Sequence, residues 1–201
     1  MEISSVTVGR LPKYLRILKR LKEENVEFVS STKIANELNL NPIQVRKDLA
    51  CVSRNDGKPK IGFEVCELIK DVESFLNLNH SGDLIVVGAG RLGQALMNYS
   101  EFENNINAVM AFDIDSSKWD NKKIFSMSKI KEKVKEKNIH IAIITVPKEV
   151  AQDVCDTLVE CGIKAIWNFA PTHLKVPSEV KVRNEDLSAS LAVLLNGLNL
   201  K

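Results

Sequence analysis

Several things are missing from this chain of 201 residues. No apolar run approaches the roughly 20 residues that a membrane-spanning helix needs. The N-terminus shows no apolar signal-peptide core, so a cytoplasmic protein is expected. The four cysteines (Cys51, Cys66, Cys155, Cys161) form no Cys-x-x-Cys pair. That argues against a zinc site and for reduced, idle thiols. The three histidines (His80, His140, His173) stand in no Ser/Tyr-Lys or His-Asp arrangement that would support hydride transfer. Net charge is also small, at +2, but it is unevenly placed. Between Arg10 and Lys60 there are 12 Lys and Arg against 6 Asp and Glu, whereas from Ser81 to Lys201 there are 15 of each. A basic first module and a neutral second one suggest a polyanionic partner for the first.

What is present centres on Leu84-Ile85-Val86-Val87, followed by Gly88-Ala89-Gly90-Arg91-Leu92-Gly93. The apolar run reads as a strand buried on both faces of a parallel sheet. The Gly-x-Gly-x-x-Gly that follows opens a helix read over Gln94 to Tyr99. In such a turn Gly88 permits the tight bend, Gly90 lets the backbone approach a pyrophosphate, and Gly93 lets the helix sit close on the strand. The helix N-terminus then offers free N–H groups to phosphates. A second strand, Ala108 to Phe112, ends in Asp113, 20 residues after Gly93. An acidic side chain there would bind the adenosine ribose hydroxyls and repel a 2′-phosphate. Together these favour NAD(H) over NADP(H).

In the basic module, Leu11 to Lys22 reads as a helix with Leu11, Tyr14, Leu15, Leu18 and Leu21 at helical spacing. Ser30-Ser31-Thr32 offers N-caps for a short helix through Leu38. Asn41, Pro42 and Gln44 mark the start of another, running to about Val52, with Val45, Leu49 and Val52 facing inward. Gln44, Lys47 and Cys51 lie on a different face, with Arg46 beside it. Two short helices and a tight turn have the layout of a helix-turn-helix, whose Gln, Arg and Lys can reach base edges and phosphates. An αα-hairpin with a hydrophilic face has the same pattern. Arg54 to Lys60 reads as a polar turn with Asp56-Gly57 at its tip. It resembles the wing of a winged helix, with Lys58 and Lys60 able to touch phosphates. Glu64 to Leu76 is predicted as a helix, and 77–82 as a linker.

Farther on, Ser128 to Lys137 and Glu149 to Cys161 are predicted as helices, with Gly162 just past the second. Ile139 to Val146, Ala165 to Trp167 and Val180 to Val182 are predicted as strands. Ligands sit at the carboxyl ends of strands in such sheets, which directs attention to Thr145-Val146-Pro147 and Asn168-Phe169-Ala170-Pro171. A last helix, Asp186 to Leu198, carries Leu187, Leu191, Leu194, Leu195 and Leu198. It is more apolar than a surface helix of a small domain, so it predicts a dimer.

These residues resemble the Rex family, the redox-sensing transcriptional repressors of bacteria. The resemblance rests on Leu11-Pro12-x-Tyr14-Leu15-Arg16, Gln44-Val45-Arg46-Lys47-Asp48-Leu49, Val87 to Gly93, Phe112-Asp113-Ile114-Asp115, Gly162-Ile163-Lys164-x-Ile166-x-Asn168-Phe169-Ala170-Pro171 and Val182-Arg183-Asn184-x-Asp186-Leu187. It implies a homodimer of α/β chains: a winged-helix DNA-binding domain (1–78), a Rossmann NAD(H)-binding domain (79–184) and a swapped C-terminal dimerisation helix (185–201). It implies binding to palindromic operator DNA with NAD⁺ and release with NADH. By position, Gly88 to Gly93, Tyr99, Asp113, Ile114, Asp115, Thr145 to Pro147 and Asn168 to Pro171 look like the cofactor site. Ser31, Gln44, Arg46, Lys47, Lys58 and Lys60 are the candidate DNA contacts. Arg16, Tyr99 and Asp186 match residues linked to the switch between the two states. The chain departs from the family after the reading helix, with Cys51-Val52-Ser53 for Tyr-Phe-Gly. The wing, Gly57-Lys58-Pro59-Lys60-Ile61-Gly62-Phe63, lacks the usual Arg-Gly pair. Two other readings carry the same dinucleotide fingerprint: a small dehydrogenase, with His173 as its candidate acid or base, and an NAD(H)-binding protein without DNA activity.

Overall fold

The computed structural model describes residues 3–58, 60–78, 82–99 and 106–196. The chain divides into two compact units, Met1–His80 and Ser81–Lys201. No helix of the described residues is long and apolar enough to cross a membrane.

The first unit is helical. A short α1 (Ser5–Val8) leads into α2 (Leu11–Glu23), followed by α3 (Ser31–Leu38), α4 (Pro42–Val52) and α5 (Val65–Phe75). The leucine stripe of α2 supplies the centre of the core. Leu11, Tyr14, Leu15, Leu18 and Leu21 are fully buried, packed with Ile34 and Ala35, Val45 and Leu49, and Val65 and Val72. Ser30, rather than Ser31, caps α3 by accepting the Lys33 N–H. Asn39 closes that helix at φ 52, a left-handed conformation that asparagine tolerates. The turn then delivers Asn41, whose side chain accepts the Ile43 N–H at 2.8 Å and starts α4.

A two-stranded antiparallel pair completes the unit. In it β1 (Phe28–Val29) pairs with β2 (Phe63–Glu64). The wing departs from the sequence expectation. Its closure is the bridge between Lys58 and Gly62, so the tip lies around Lys60, at φ 65, and not at Asp56-Gly57. Pro59 lies outside the described residues. Gly62 decides the register, since at φ +104 its α-carbon passes so close to β1 that a Cβ would stand 2.3 Å from the Val29 carbonyl oxygen. Tertiary fit here overrides the local turn preference of Asp-Gly.

The second unit is a six-stranded sheet with every pairing parallel. Its strands are β3 (Asp83–Val87), β4 (Asn107–Asp113), β5 (Ile124–Ser126), β6 (Ile141–Ile144), β7 (Ala165–Asn168) and β8 (Lys181–Asn184). Helices α6 (Arg91–Met97), α7 (Ile130–Glu136) and α8 (Lys148–Glu160) form the crossovers. The spatial order β5-β4-β3-β6-β7-β8 is that of a dinucleotide-binding Rossmann fold, with its order reversal between β3 and β6. The unbroken apolar runs Ile85–Val87 and Ala142–Ile144 are buried as central parallel strands require. Sequence reading missed β5. That edge strand has only three residues, brought into line where the Asp120 carboxylate accepts the N–H groups of Lys122, Lys123 and Ile124.

The last described element is α9 (Leu187–Leu195), capped by Asp186, which accepts the Ala189 N–H at 2.8 Å. None of its residues is buried, and Val193 and Leu194 are 76% and 70% exposed. Leu198 lies outside the described residues.

Candidate dinucleotide cleft and nucleic-acid interface

The three glycines of the turn have distinct environments. Gly88 sits at φ +101, where a Cβ would stand 2.9 Å from the carbonyl oxygen and the hydroxyl of Thr145. Gly93 leaves no room, since its Cβ would lie 1.8 Å from the Gly88 carbonyl oxygen. Gly90 faces open space, with nothing within 4 Å of a Cβ. The first two close the turn onto its neighbours and the middle one leaves its outer side clear for a ligand. Thr145, at the carboxyl end of β6, locks the turn by donating its hydroxyl to the Gly88 carbonyl at 2.8 Å.

A cleft of about 700 Å³ opens at the carboxyl ends of β3, β4 and β6. Gly88, Gly90, Asp113, Ile114, Asp115, Thr145, Val146 and Pro147 line it, together with Lys118, Met127, Val150 and Val154. Ala89 is buried behind the turn, and Arg91 and Leu92 open α6 on its exposed side. Asp113 accepts the Ala89 N–H at 2.7 Å, the Asp115 N–H at 2.8 Å and the Lys118 ammonium at 3.0 Å. Burial alone would raise its pKa. The Asp115 N–H, Lys118 and the Ala89 N–H outweigh it and hold the carboxyl below its usual range. Lys118 was not singled out from the sequence, because no spacing rule marks a lysine five residues beyond the fingerprint acid.

Other candidates lie off the cleft walls. Tyr99 follows the far end of α6 and is 48% exposed. Asn168 is fully buried, and its side chain is occupied with the turn itself. It donates to the carbonyls of Ala170 and Thr172 and to Asn184 Oδ1, and accepts the Ala170 N–H. Phe169 packs on Trp167 with ring centroids 4.8 Å apart, and Ala170 is buried while Pro171 is exposed. Asn168 thus shapes the loop that presents Phe169 and Pro171.

On the first unit, Ser31, Arg46, Lys58 and Lys60 meet in one groove of about 670 Å³ between α3, α4 and the wing. Lys58 lies over the Phe28 ring, 4.9 Å from its centroid. Gln44 and Lys47 line a second groove on the other side of α4, with Ile43, Cys51, Thr7 and Arg10. The floor of that groove is Asp48. The Arg10 guanidinium donates to both its oxygens (2.7 and 2.8 Å), the Tyr14 hydroxyl at 2.7 Å and the Thr7 hydroxyl at 3.3 Å. Burial pushes the Tyr14 phenol up to about 12, and the hydrogen bond to Asp48 adds to that. For Asp48 burial acts upward, but Arg10 and Tyr14 overcome it and its pKa is lowered. This network fixes α4 to α1 and α2. The sequence hid it, since Asp48 is 34 to 41 positions from its partners. Arg16 is exposed on α2.

Among the described residues no group of His, Cys, Asp and Glu could hold a metal ion.

Comparison with known proteins agrees with both units. Residues 2–50 match the family "Putative DNA-binding protein N-terminus" and residues 79–172 the family "CoA binding domain". The redox-sensing transcriptional repressor Rex of Treponema denticola is 43% identical over 97% of this chain and 95% of its own length. That of Desulforamulus reducens is 39% identical over 100% and 98%. This chain belongs to the Rex family of redox-sensing transcriptional repressors. The solved structure of the Rex-family repressor RSP with NAD⁺ and operator DNA matches with a TM-score of 0.88 at 34% identity, over 96% of this chain and 91% of that one. RSP with NADH matches with a TM-score of 0.84, also at 34% identity, over 96% and 93%. The Rex fold, a DNA-binding domain before a Rossmann domain, is therefore the fold of this chain.

Proposed function

We propose that this Rex-family chain binds NAD(H) in the cleft beside Gly90 and operator DNA with α4 and the wing, and that the reduced cofactor releases the DNA. The observation that carries the cofactor half is the environment of the glycine turn: Gly88 and Gly93 closed, Gly90 open, with a cleft in front. RSP has been solved with NAD⁺ and operator DNA together and with NADH, which supports the reading. The cofactor supplies a ring that is cationic when oxidised and neutral when reduced. The main chain at Gly88 to Gly90 would hold the pyrophosphate, and Asp113 and Asp115 would face the adenosine ribose. Ile114, Met127, Val150 and Val154 would cover the adenine. Phe169, Ala170 and Pro171 would form an apolar surround for the ring. Burying an unpaired cation is costly, so such a surround prefers the neutral form. If one dimer arrangement alone closes it, the reduced form shifts the dimer toward that arrangement.

For DNA, α4 would enter the major groove with Gln44, Arg46 and Lys47, while Ser31, Lys58 and Lys60 would contact the backbone. The apolar, unburied α9 would pack against a second copy. Arg16, Tyr99 and Asp186 would act in the switch. The domains of this reading are 1–78, 79–184 and 185–201, and the division of the chain near residue 80 supports the first of these limits. As a regulator of genes the protein would act in the cytoplasm, and it would be a sensor rather than an enzyme. The test is fluorescence anisotropy of a labelled palindromic duplex against the protein alone, with NAD⁺ and with NADH, at fixed salt. Binding that NADH abolishes and NAD⁺ spares is the expected result. Binding no better than to a scrambled duplex, with NADH still bound, would overturn the repressor reading in favour of a cofactor-binding protein.

A further inference from the structure

The acid that the glycine-turn fingerprint assigns to the ribose is not the one most open to the cleft. Asp113 is 7% exposed and both its oxygens already serve the fold, Oδ1 for the Asp115 N–H and Oδ2 for the Ala89 N–H and the Lys118 ammonium. Asp115, two residues on, has its side chain 48% exposed. The Ser117 N–H and hydroxyl both donate to its Oδ1, at 3.0 and 2.7 Å. Its Oδ2 stands 3.7 Å from Lys118 Nζ. One ammonium is therefore shared by two carboxylates on the cleft wall, and the cluster carries a net single negative charge.

We propose that Asp115, rather than Asp113, sets the choice of NAD(H) over NADP(H), and that Lys118, which Asp113 holds at 3.0 Å on the cleft wall, is a phosphate-binding group whose charge Asp115 offsets. The inference rests on the dinucleotide reading above. A phosphate monoester carries a charge of about −1.5 to −2 near pH 7, so Asp115, the carboxylate of the cluster that is open to the cleft, repels a ribose 2′-phosphate. Neutralising Asp115 leaves Asp113 and Lys118 as a balanced pair. Lys118 has three N–H donors, and its side chain is one-third exposed. It can then turn a donor to a phosphate oxygen in a charge-assisted hydrogen bond. Neutralising Asp113 acts differently. An amide there has one oxygen for the two N–H groups, Ala89 and Asp115, that the carboxylate accepts on separate oxygens, so the glycine turn loosens and both cofactors weaken alike.

The experiment is a calorimetric titration of the full-length protein with NADH and with NADPH. Asp115→Asn keeps a side-chain oxygen able to cap the turn at Ser117, and Asp115→Ser is the second variant should the first fail to fold. The affinity for NADPH relative to NADH is expected to rise about tenfold or more in either, since a like charge a few ångströms from the phosphate is removed. Adding Lys118→Gln to Asp115→Asn should return the ratio close to the wild-type value, whereas Asp113→Asn should lower both affinities and leave the ratio unchanged. An Asp115→Asn protein with intact NADH binding and an unaltered ratio would overturn the proposal, as would a ratio that moves with Asp113→Asn. A wild-type protein that binds neither dinucleotide would instead overturn the cofactor reading on which it stands.

Discussion

Each unit keeps a buried aspartate next to its candidate binding surface, and the two are held in different ways. Asp48 gathers side-chain donors, the Arg10 guanidinium and the hydroxyls of Tyr14 and Thr7. Asp113 gathers two main-chain N–H groups and one lysine. Helix α4, the proposed reading helix, is thus fixed to α1 and α2 by side chains that can be removed one at a time. The cofactor turn is fixed by backbone geometry that leaves almost no room for change. The support of the first surface can be tuned by degrees, whereas the packing of Gly88 and Gly93 beneath the second is intact or lost.

The largest effect expected from that difference is at Gly93. A Cβ 1.8 Å from the Gly88 carbonyl oxygen and 2.9 Å from the Thr145 hydroxyl has no room, so Gly93→Ala must pull α6 off β3. We expect a loss above about 4 kcal/mol, the range reserved for severe core faults. Tryptophan fluorescence during denaturation should show it, since both tryptophans, Trp119 and Trp167, lie in the second unit. A mild shift would mean that the turn is more pliable than this geometry allows. Next is Asp48→Ala, which leaves a largely buried guanidinium and a fully buried phenol without their acceptor. Breaking a buried ion pair in this way costs about 3–5 kcal/mol. Helical circular dichroism should report the loss from the first unit, and operator affinity should fall while NADH binding persists. Equal loss of both activities would contradict the separation of the two surfaces.

Gly90→Ala sharpens the contrast within the turn itself. Its Cβ meets nothing within 4 Å, so stability should change by less than about 0.5 kcal/mol, as at ordinary surface sites. NADH affinity should fall about tenfold or more, because the methyl occupies the space that the backbone leaves for a pyrophosphate. Thermal denaturation and a NADH titration on one preparation separate the two effects. A destabilised protein would assign Gly90 to the fold instead of the ligand.

How much of this was readable from the sequence follows the same division. The glycine turn, β3, β4 and Asp113 lie within about 30 residues and obey one motif, so the turn and the strand ends that frame the cleft were legible. So were the α2 leucines and the Asn41 start of α4, which depend on neighbours a few positions away. Asp48 could not be read, because its donors arrive from another helix. Lys118 could not, because its position follows from how the loop after β4 folds. The wing was legible as a turn but not in register. Asp56-Gly57 has the stronger dipeptide preference, yet the close pass of Gly62 by Val29 sets the closure at Lys58. The Asn168 to Pro171 segment was found by its motif, but Asn168 proves to hold the loop, a role that only its four hydrogen bonds reveal.

The smallest expected effect is in acid, where the two aspartates can be compared directly. Both have pKa values lowered in the folded chain. In both, burial acts upward and is outweighed: for Asp48 by donors from Arg10 and Tyr14, for Asp113 by the Asp115 N–H, Lys118 and the Ala89 N–H. The folded state therefore binds these protons less tightly than the unfolded one. The stability that follows is fully present above the unfolded aspartate value of about 3.9 and is lost as pH falls through the folded values below it, at about 1.4 kcal/mol for each tenfold difference in proton affinity. Asp48→Asn should flatten the acid limb of denaturation read by helical circular dichroism below about pH 4, the unfolded aspartate range, and leave the tryptophan signal unchanged. Asp113→Asn should flatten the tryptophan signal. If either substitution flattened both signals equally, the two carboxylates would be stabilising one cooperative structure instead of two separate surfaces.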